Sequence, residues 1–299
     1  MSTPVGFIGL GSMGAWMARR LLAQEGSLAV YDVRADATEV LAAEGATACA
    51  TPAEVADLAE VVLVSLPSPD ILREVVNGPQ GLLKGNKMRA FVDFSTTGPV
   101  VAREVGALLS AAGVGFVDAP VSGGPAGAQA GTLTLMVATP DALLEEMRPF
   151  LGAIGTTITQ VGTEPGQGQL AKVINNLLGA ASLAVVGEAL ALGVKGGLDV
   201  GTLLDVINAS SGRSGVTEGL YPNQIVNRAF NLGFRLRLEA KDVALCLEEA
   251  NRQKVPMLVG SAVQQFWSIA NTLASDEDDF TAAAKLIESW AGVTLEKKD

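Results

Sequence analysis

The stretch VGFIGLGSMGAWMARRLL, residues 5–22, decides the fold of the first half of the chain. An apolar, β-rich run leads into glycines spaced as GxGxxG, and apolar residues at helical spacing follow. Glycines in a strand-to-helix turn let the backbone approach a pyrophosphate, whose charge is favoured at the helix N-terminus. This context predicts a dinucleotide-binding turn. The residues assigned to it are Gly9, Leu10, Gly11, Met13 and Gly14.

A carboxylate follows at the position where it can select the cofactor. Asp32 ends the next β-rich run, LAVYD, about 20 residues after the glycines, where it can accept hydrogen bonds from both hydroxyls of a ribose. The same charge repels a 2′-phosphate, so the sequence favours NAD over NADP as the cofactor. Arg34, two residues later, weakens that preference.

Two further loops leave β-rich runs through small polar residues. They are VSLPSPD at residues 64–70 and DFSTTGP at residues 93–99. Loops of this kind line nucleotide crevices at the carboxyl ends of strands, although ordinary turns with Ser or Thr caps have the same composition. On the first interpretation the cofactor site also includes Leu66, Pro67, Ser95 and Thr96.

The order of strand and helix patterns predicts two domains. Seven β-rich runs alternate with helical patterns up to residue 163, which predicts an α/β Rossmann-type doubly wound parallel sheet in a dinucleotide-binding domain over residues 1–163. From there on the patterns are helical and begin with an apolar stretch of roughly 28 residues. We therefore expect residues 164–299 to form an all-α substrate and oligomerisation domain, joined to the first by a long interdomain helix.

Composition excludes several kinds of function. A net charge of −11 argues against nucleic-acid binding, which needs basic surface. Glycine or charged residues interrupt the apolar runs, and the first residues show no targeting signal, so we expect no membrane partner and a cytoplasmic location. The chain has no histidine, so proton transfer must use another side chain. The sequence contains no group of carboxylate or other ligand residues at the spacing of a metal site, so we expect no metal.

Two features in the middle of the chain suggest a substrate site. The loop DAPVSGGPAGAQAGTL could bind an anion with the backbone of Ser122, Gly123 and Gly124 and the serine hydroxyl, or it could be a flexible glycine loop. In GQGQLAKVINNLLGAA, Lys172 and Asn176 share one helix face. They could transfer a proton and hold a substrate, which requires burial to favour the neutral amine. Alternatively, they are a snorkelling lysine and a helix-packing asparagine.

Four segments in this order resemble the signatures of the β-hydroxyacid dehydrogenase family. They are GFIGLGSMG, DAPVSGG with GAQAGTL, GQGQLAKVINN and AKDVALCLEEA, and the resemblance spans essentially the whole chain. It implies that Lys172 is the catalytic acid/base and that Asn176 orients the substrate. It further implies that Ser122, Gly123 and Gly124 bind the substrate carboxylate.

The resemblance also assigns residues in the second half of the chain. Lys241, in the KD pair, would reach the nicotinamide end of the cofactor, and Arg213 or Ser214, in NASSGRSG, would contact the tail of the substrate. Gly179 stands where decarboxylating relatives have a glutamate, which argues against oxidative decarboxylation. The apolar helix, hydrophobic nearly all round, suggests a homodimer or homotetramer.

Together these features predict an NAD-dependent oxidoreductase that interconverts a short 3-hydroxy acid and its semialdehyde or keto acid. Two alternatives stay open at this point. One is an oxidoreductase of β-hydroxy amino acids or imines on the same scaffold, and the other is a non-catalytic NAD(H)-binding sensor.

Overall fold

A computed structural model describes residues 4–297 of the chain. The chain divides into two compact units, and the division falls between Val173 and Ile174, inside one long helix. The expected domain boundary at residues 163 and 164 lies a few residues before this helix begins and stays a prediction.

The first unit is built on a sheet of nine strands, which are β1 Val5–Ile8, β2 Ala29–Tyr31, β3 Thr47–Ala48, β4 Val61–Val64, β5 Ala90–Asp93, β6 Gly115–Asp118, β7 Val121–Ser122, β8 Leu133–Ala138 and β9 Gly155–Gly162. Their order in the sheet is β3-β2-β1-β4-β5-β6-β8-β7, and β9 pairs with β8. All pairs from β3 to β6 are parallel, as is β8 with β9, so the predicted parallel Rossmann-type sheet is confirmed. β8 runs antiparallel to both β6 and β7.

Alternating side chains of the central strands pack into two hydrophobic layers, one on each face of the sheet. Phe7 and Val92 belong to one layer, whereas the adjacent Ile8 and Phe91 belong to the other. Burial on both faces explains why these strands read as continuous apolar runs. The helices of this unit are α1 Gly14–Glu25, α2 Ala35–Ala43, α3 Pro52–Leu58, α4 Pro69–Asn77, the 3-10 helix Leu82–Lys84, α5 Pro99–Ala111, α6 Gly124–Ala130 and α7 Asp141–Ile154.

Helix α8, Gln167–Lys195, has 29 residues and carries the chain from the first unit into the second. It confirms the predicted long apolar helix. By length and composition alone it could cross a membrane, with a mean hydropathy of 2.0 over its most apolar window. Glycine and serine divide this stretch into short apolar runs but lower its mean hydropathy only a little. Counting the length of uninterrupted apolar runs in the sequence therefore underestimated how apolar the helix is. A helix in the core of its own fold passes the same test, and part of this window is buried within the protein.

The second unit is helical, as predicted. Its described residues, 174–297, contain no strand and one isolated bridge between Arg235 and Asp279. A π-helix was not predicted. It carries the buried Tyr221, whose hydroxyl donates a hydrogen bond to the carbonyl of Leu183 on α8 (2.8 Å). The elements after α8 are α9 Val200–Asn208, the π-helix Val216–Val226, α10 Leu236–Arg252, α11 Leu258–Leu273, the 3-10 helix Phe280–Ala282 and α12 Ala283–Ala291.

Candidate active site

The glycine-rich turn joins β1 to α1, as the sequence predicts. A side chain at Gly9 would overlap the carbonyl oxygen of Ser65, and one at Gly14 would overlap the carbonyl oxygen of Gly9. Gly9 also has a φ of +92°, which L residues rarely adopt. A side chain at Gly11, in contrast, would meet nothing within 4 Å. Packing therefore requires the outer two glycines, whereas the middle glycine leaves open space that a ligand backbone can approach.

Asp32, at the end of β2, is oriented by the same turn. Its Oδ2 accepts a hydrogen bond from the backbone N–H of Leu10 (2.6 Å), and its Oδ1 accepts one from the backbone N–H of Arg34 (2.9 Å). The Arg34 guanidinium forms an ion pair with Asp32 (3.3 Å) and donates to the carbonyl of Leu10 (3.1 Å). Oδ1 also accepts a hydrogen bond from Nε of Arg34 (3.3 Å), whereas Oδ2 keeps a second lone pair with which to accept a ribose hydroxyl. The arrangement fits the dinucleotide that the fold implies.

The loops after β4 and β5 are hydrogen-bonded to each other. The backbone N–H of Leu66 donates to Oγ of Ser95 (2.8 Å), and the backbone N–H of Ser95 donates to Oδ1 of Asp93 (2.9 Å). Pro67 is exposed and Thr96 is half-buried at the same end of the sheet. Met13 is the residue immediately before α1. The structure thus brings the predicted cofactor residues of the first unit to the carboxyl ends of neighbouring parallel strands.

The Ser-Gly-Gly segment forms the junction between β7 and α6. Ser122 pairs with Thr134 of β8 and is half-buried. Gly123 and Gly124 have φ values of +132° and +65°, so glycine at both positions is a backbone requirement and not only a source of flexibility. A side chain at Gly124 would meet no other atom within 4 Å, which leaves this backbone accessible.

Lys172 and Asn176 lie one turn apart on α8, as their spacing predicts. Lys172 is only 8% exposed, although it carries an amine, whereas Asn176 is half-buried. Within the second unit, Nδ2 of Asn176 donates to Oδ2 of Asp242 (2.6 Å). Nζ of Lys241 forms an ion pair with Oδ1 of the same carboxylate (2.7 Å). Asp242 is almost fully buried and joins Asn176 to Lys241, two of the predicted site residues of this unit.

Asp242 was not among the predicted site residues. In the sequence, the Lys241–Asp242 pair has the composition of a solvated helix face, and only the burial of the aspartate distinguishes it. Arg213 and Ser214 have local partners. Arg213 is exposed and forms an ion pair with Glu218 (2.7 Å). Ser214 is hydrogen-bonded to Thr217 at the start of the π-helix. Their assignment to the substrate tail stays a prediction.

A buried polar network at the start of α8 was also missed. Asp118, at the end of β6, and Gln169, in the first turn of α8, are fully buried and hydrogen-bonded to each other (3.1 Å). Burial raises the pKa of Asp118 to about 7, although hydrogen bonds from Gln169 and Gly166 oppose the rise. The charge of the neighbouring Asp93 adds to it.

A parallel sheet with a glycine-rich turn and an oriented acid after its second strand defines a dinucleotide-binding protein, and a buried lysine beside a polar amide suits an oxidoreductase. Comparison with known proteins makes this class specific. Residues 4–162 match the family model of the NAD-binding domain of 6-phosphogluconate dehydrogenase. Residues 166–287 match the model described as the NAD-binding domain of NADP-dependent 3-hydroxyisobutyrate dehydrogenase.

Individual relatives align over nearly the whole chain. The 2-(hydroxymethyl)glutarate dehydrogenase of Eubacterium barkeri is 36% identical over 295 residues, which cover 98% of each chain. The mitochondrial 3-hydroxyisobutyrate dehydrogenase of Rattus norvegicus is 35% identical and aligns over 94% of this chain and 85% of its own. A solved structure of Mycobacterium tuberculosis 3-hydroxyisobutyrate dehydrogenase with L-serine superposes with a TM-score of 0.88 at 31% identity, covering 96% of this chain and 99% of that one.

The chain belongs to the β-hydroxyacid dehydrogenase family and is an NAD(P)-dependent dehydrogenase of small hydroxy acids. This confirms the resemblance and the enzyme class that the sequence suggested, and NAD as the cofactor is supported by the matching domains. It leaves the non-catalytic sensor without support.

Proposed function

We propose that the protein interconverts a 2-substituted 3-hydroxypropanoate, HOCH₂–CH(R)–COO⁻, and its semialdehyde. The names of three compounds attached to its relatives support this substrate class: 2-(hydroxymethyl)glutarate, 3-hydroxyisobutyrate and L-serine. In all three, a CH₂OH group is attached directly to the carbon that bears a carboxylate, and the compounds differ in the substituent R. The shared unit is a short 3-hydroxy acid, the class that the sequence predicts.

The observation that carries this proposal is the burial of Lys172 on α8, one turn before Asn176. In the oxidation, the amine of Lys172 accepts the proton of the substrate hydroxyl, and in the reduction its ammonium returns that proton to the carbonyl oxygen. The amide of Asn176 holds the reacting oxygen. Bound NAD⁺ supplies the hydride acceptor. An ammonium can also stabilise the developing alkoxide by its charge, which a neutral side chain at this position could not do.

The remaining assignments follow the same division of roles. The hydroxyl of Ser122 and the backbone N–H groups of Gly123 and Gly124 bind the substrate carboxylate, which the open space at Gly124 and the exposure of Gly123 support. The glycine-rich turn and Asp32 hold the dinucleotide. Residues 1–163 then act as the dinucleotide-binding domain and residues 164–299 as the substrate and oligomerisation domain.

A substrate panel tests the proposed class. Reduction of NAD⁺ and NADP⁺ is followed with 3-hydroxypropanoate, 3-hydroxyisobutyrate, 2-(hydroxymethyl)glutarate and both serine enantiomers. Lactate and 3-hydroxybutyrate serve as comparison compounds, because both carry a secondary alcohol, at carbon 2 in lactate and at carbon 3 in 3-hydroxybutyrate. We expect kcat/KM to be at least about tenfold higher for one of the 2-substituted 3-hydroxy acids than for either comparison compound. Faster turnover of lactate or 3-hydroxybutyrate would contradict the proposed class.

A pair of lysine variants tests the proposed acid/base role. Lys172→Ala should lower kcat by about 10² or more while the Kd of NADH stays within a few-fold, because only the proton acceptor is lost. Lys87→Ala, which truncates an exposed lysine in the loop before β5, is the matched control and should retain wild-type kcat. Equal kcat in Lys172→Ala and wild type would remove Lys172 from the reaction.

We also propose that the protein is a cytoplasmic homodimer or homotetramer. The support for an oligomer is a seven-residue repeat of apolar side chains on α8 that are exposed in the single chain. They are Leu178 (67% exposed), Val185 (59%) and Leu192 (75%). A second copy would cover this stripe, since α-helices pack through such repeats. Sedimentation equilibrium should give at least twice the 30.7 kDa chain mass, and Val185→Glu should lower it. A wild-type monomer at micromolar concentration would contradict this assignment.

A further inference from the structure

The side chain of Gln169 uses its full hydrogen-bonding capacity in the interior of the first unit. Its Oε1 accepts hydrogen bonds from the backbone N–H groups of Thr97 (2.9 Å) and Gly98 (3.0 Å). Its Nε2 donates to the backbone carbonyl of Ser95 (2.9 Å) and to Oδ1 of Asp118 (3.1 Å). A primary amide has two donor hydrogens and two acceptor lone pairs, and all four are used here. The orientation of this amide is therefore fixed.

Asp118 fixes the first turn of α8 from the other side. Its Oδ2 accepts hydrogen bonds from the backbone N–H groups of Gly166 (2.8 Å) and Gln169 (3.2 Å). These belong to the N–H groups that a helix start leaves without an intrahelical partner, and a carboxylate is favoured there. A strand end thus supplies the cap that the helix sequence itself does not provide.

The glycines of the same turn let the start of α8 approach the neighbouring backbone closely. A side chain at Gly168 would lie 2.7 Å from the carbonyl oxygens of both Asp118 and Met136, and one at Gly166 would lie 2.9 Å from that of Pro99. The helix start therefore contacts the end of β6 and the middle of β8 directly. Contact of this kind converts a change in hydrogen bonding at residue 169 into a displacement of the helix.

Lys172 is three residues after Gln169, a spacing that places both on one side of the helix. The other partners of Gln169 lie at residues 95–98, in the loop assigned to the cofactor. We infer that Gln169, held by Asp118, is a positioning residue that sets Lys172 relative to the loop after β5. This inference rests on the proposed role of Lys172. If Gln169 had a purely structural role, it would only form hydrogen bonds with buried backbone groups and would not affect the position of Lys172.

The first experiment compares Gln169→Met with Gln167→Met. Gln167 is an exposed neighbour in the same turn, and its side chain accepts a hydrogen bond from the backbone N–H of Glu164, so it controls for the substitution itself. Methionine keeps the length of glutamine and removes the amide. The probe is the oxidation of 3-hydroxyisobutyrate, unlabelled or deuterated at the carbinol carbon, in each full-length protein, with the Kd of NADH measured alongside.

We expect Gln169→Met to lower kcat by about 10²-fold, the effect of misplacing a reacting group by about 1 Å. The KM and the Kd of NADH should change by less than about threefold. The deuterium isotope effect on kcat should increase, because the chemical step becomes slower than product release. A loss of folded protein would lower kcat without changing the isotope effect. A kcat within threefold of wild type, or an unchanged isotope effect, would overturn the inference.

A second set of variants tests the contact between residues 118 and 169. Asp118→Asn alone places two donors opposite each other, and Gln169→Glu alone places two carboxylates opposite each other. The double variant restores one donor and one acceptor at this contact. We expect its kcat to exceed that of the worse single variant by at least about tenfold. If Lys172→Ala lowers kcat and these variants do not, the positioning role is wrong while the acid/base role stands. If Lys172→Ala has wild-type kcat, both are wrong.

Discussion

Asp118 gives a prediction whose sign and size follow from its surroundings. Burial raises the pKa of its carboxyl from an ordinary 3.8 to about 7, against the opposing hydrogen bonds from Gln169 and with a further rise from Asp93. The folded chain therefore keeps this proton at pH values where the unfolded chain has lost it. A raised carboxyl pKa contributes stability that is complete below about pH 4 and is lost as the pH rises through about 7. The difference in pKa corresponds to about 4 kcal/mol of unfolding free energy.

The perturbation is Asp118→Asn, which has the shape of the protonated carboxyl and does not titrate. Between pH 4 and pH 8, the unfolding free energy of wild type minus that of the variant should fall by about 4 kcal/mol. The changed hydrogen bond to Gln169 adds an offset that does not vary with pH. Urea unfolding is read by hydrogen exchange at the amides of β5 and β6, since these report the opening of the first unit alone.

The matched control is Asp36→Asn, which changes an exposed aspartate in the first turn of α2. Its unfolding free energy should stay within about 0.5 kcal/mol of wild type across the same range, as for most surface substitutions. A wild-type minus Asp118→Asn difference that is constant with pH would refute the reasoning. A difference that increases with pH would also refute it, because the three N–H donors would then outweigh the burial of the carboxylate.

Three further predictions test other parts of the molecule. Gly11→Ala should leave thermal stability unchanged and weaken NADH binding by tenfold or more. Gly14→Ala should lower both the thermal stability and the affinity for NADH, because only this side chain would overlap the protein. Calorimetry measures the stability of the two variants and a fluorescence titration measures their affinity. Tyr221→Phe should lower the unfolding free energy of the second unit by about 1 kcal/mol, since it removes one buried hydrogen bond to α8, and an unchanged value would mean that the bond contributes nothing. Asp242→Ala should lower kcat by tenfold or more by releasing the asparagine of α8, while Glu248→Ala, an exposed change on the same helix, should not; equal kcat in both variants would contradict the proposed site.

The sequence predicts those features whose physical cause is local. Gly9 and Gly14 are required by the packing of a strand-to-helix turn a few residues long, and the spacing of that turn is visible in the motif. The central strands are recognisable because burial on both faces demands apolar residues at nearly every position. Helix α8 is recognisable for a similar reason, since its apolar composition extends over many turns. In each case one segment contains all the information.

Other features depend on segments that are far apart in the chain. β7 has only two residues, and its pairing with β8 comes from a chain reversal that no periodicity marks. The π-helix at Val216–Val226 contains Pro222, which argues against a helix on propensity alone. The role of Asp242 is visible only once α8 and α10 are packed together, because its partner Asn176 is 66 residues away. Polar residues of this kind look like surface residues until their burial is known.

The Asp118–Gln169 pair shows why matched motifs alone leave such residues unassigned. Asp118 precedes the segment assigned to the substrate carboxylate, and Gln169 precedes the lysine assigned to proton transfer, so each motif has a chemical explanation that does not need them. The two are 51 residues apart, and only the parallel register of β5 and β6 places Asp118 next to Asp93 and beneath the start of α8. A buried polar side chain must find a partner, and neither motif contains one for its own residue. Each residue therefore has a partner in the other motif, and the remaining partners of the Gln169 amide lie in the loop after β5. The hydrogen bond between Asp118 and Gln169 holds the two chemical segments in a fixed relation.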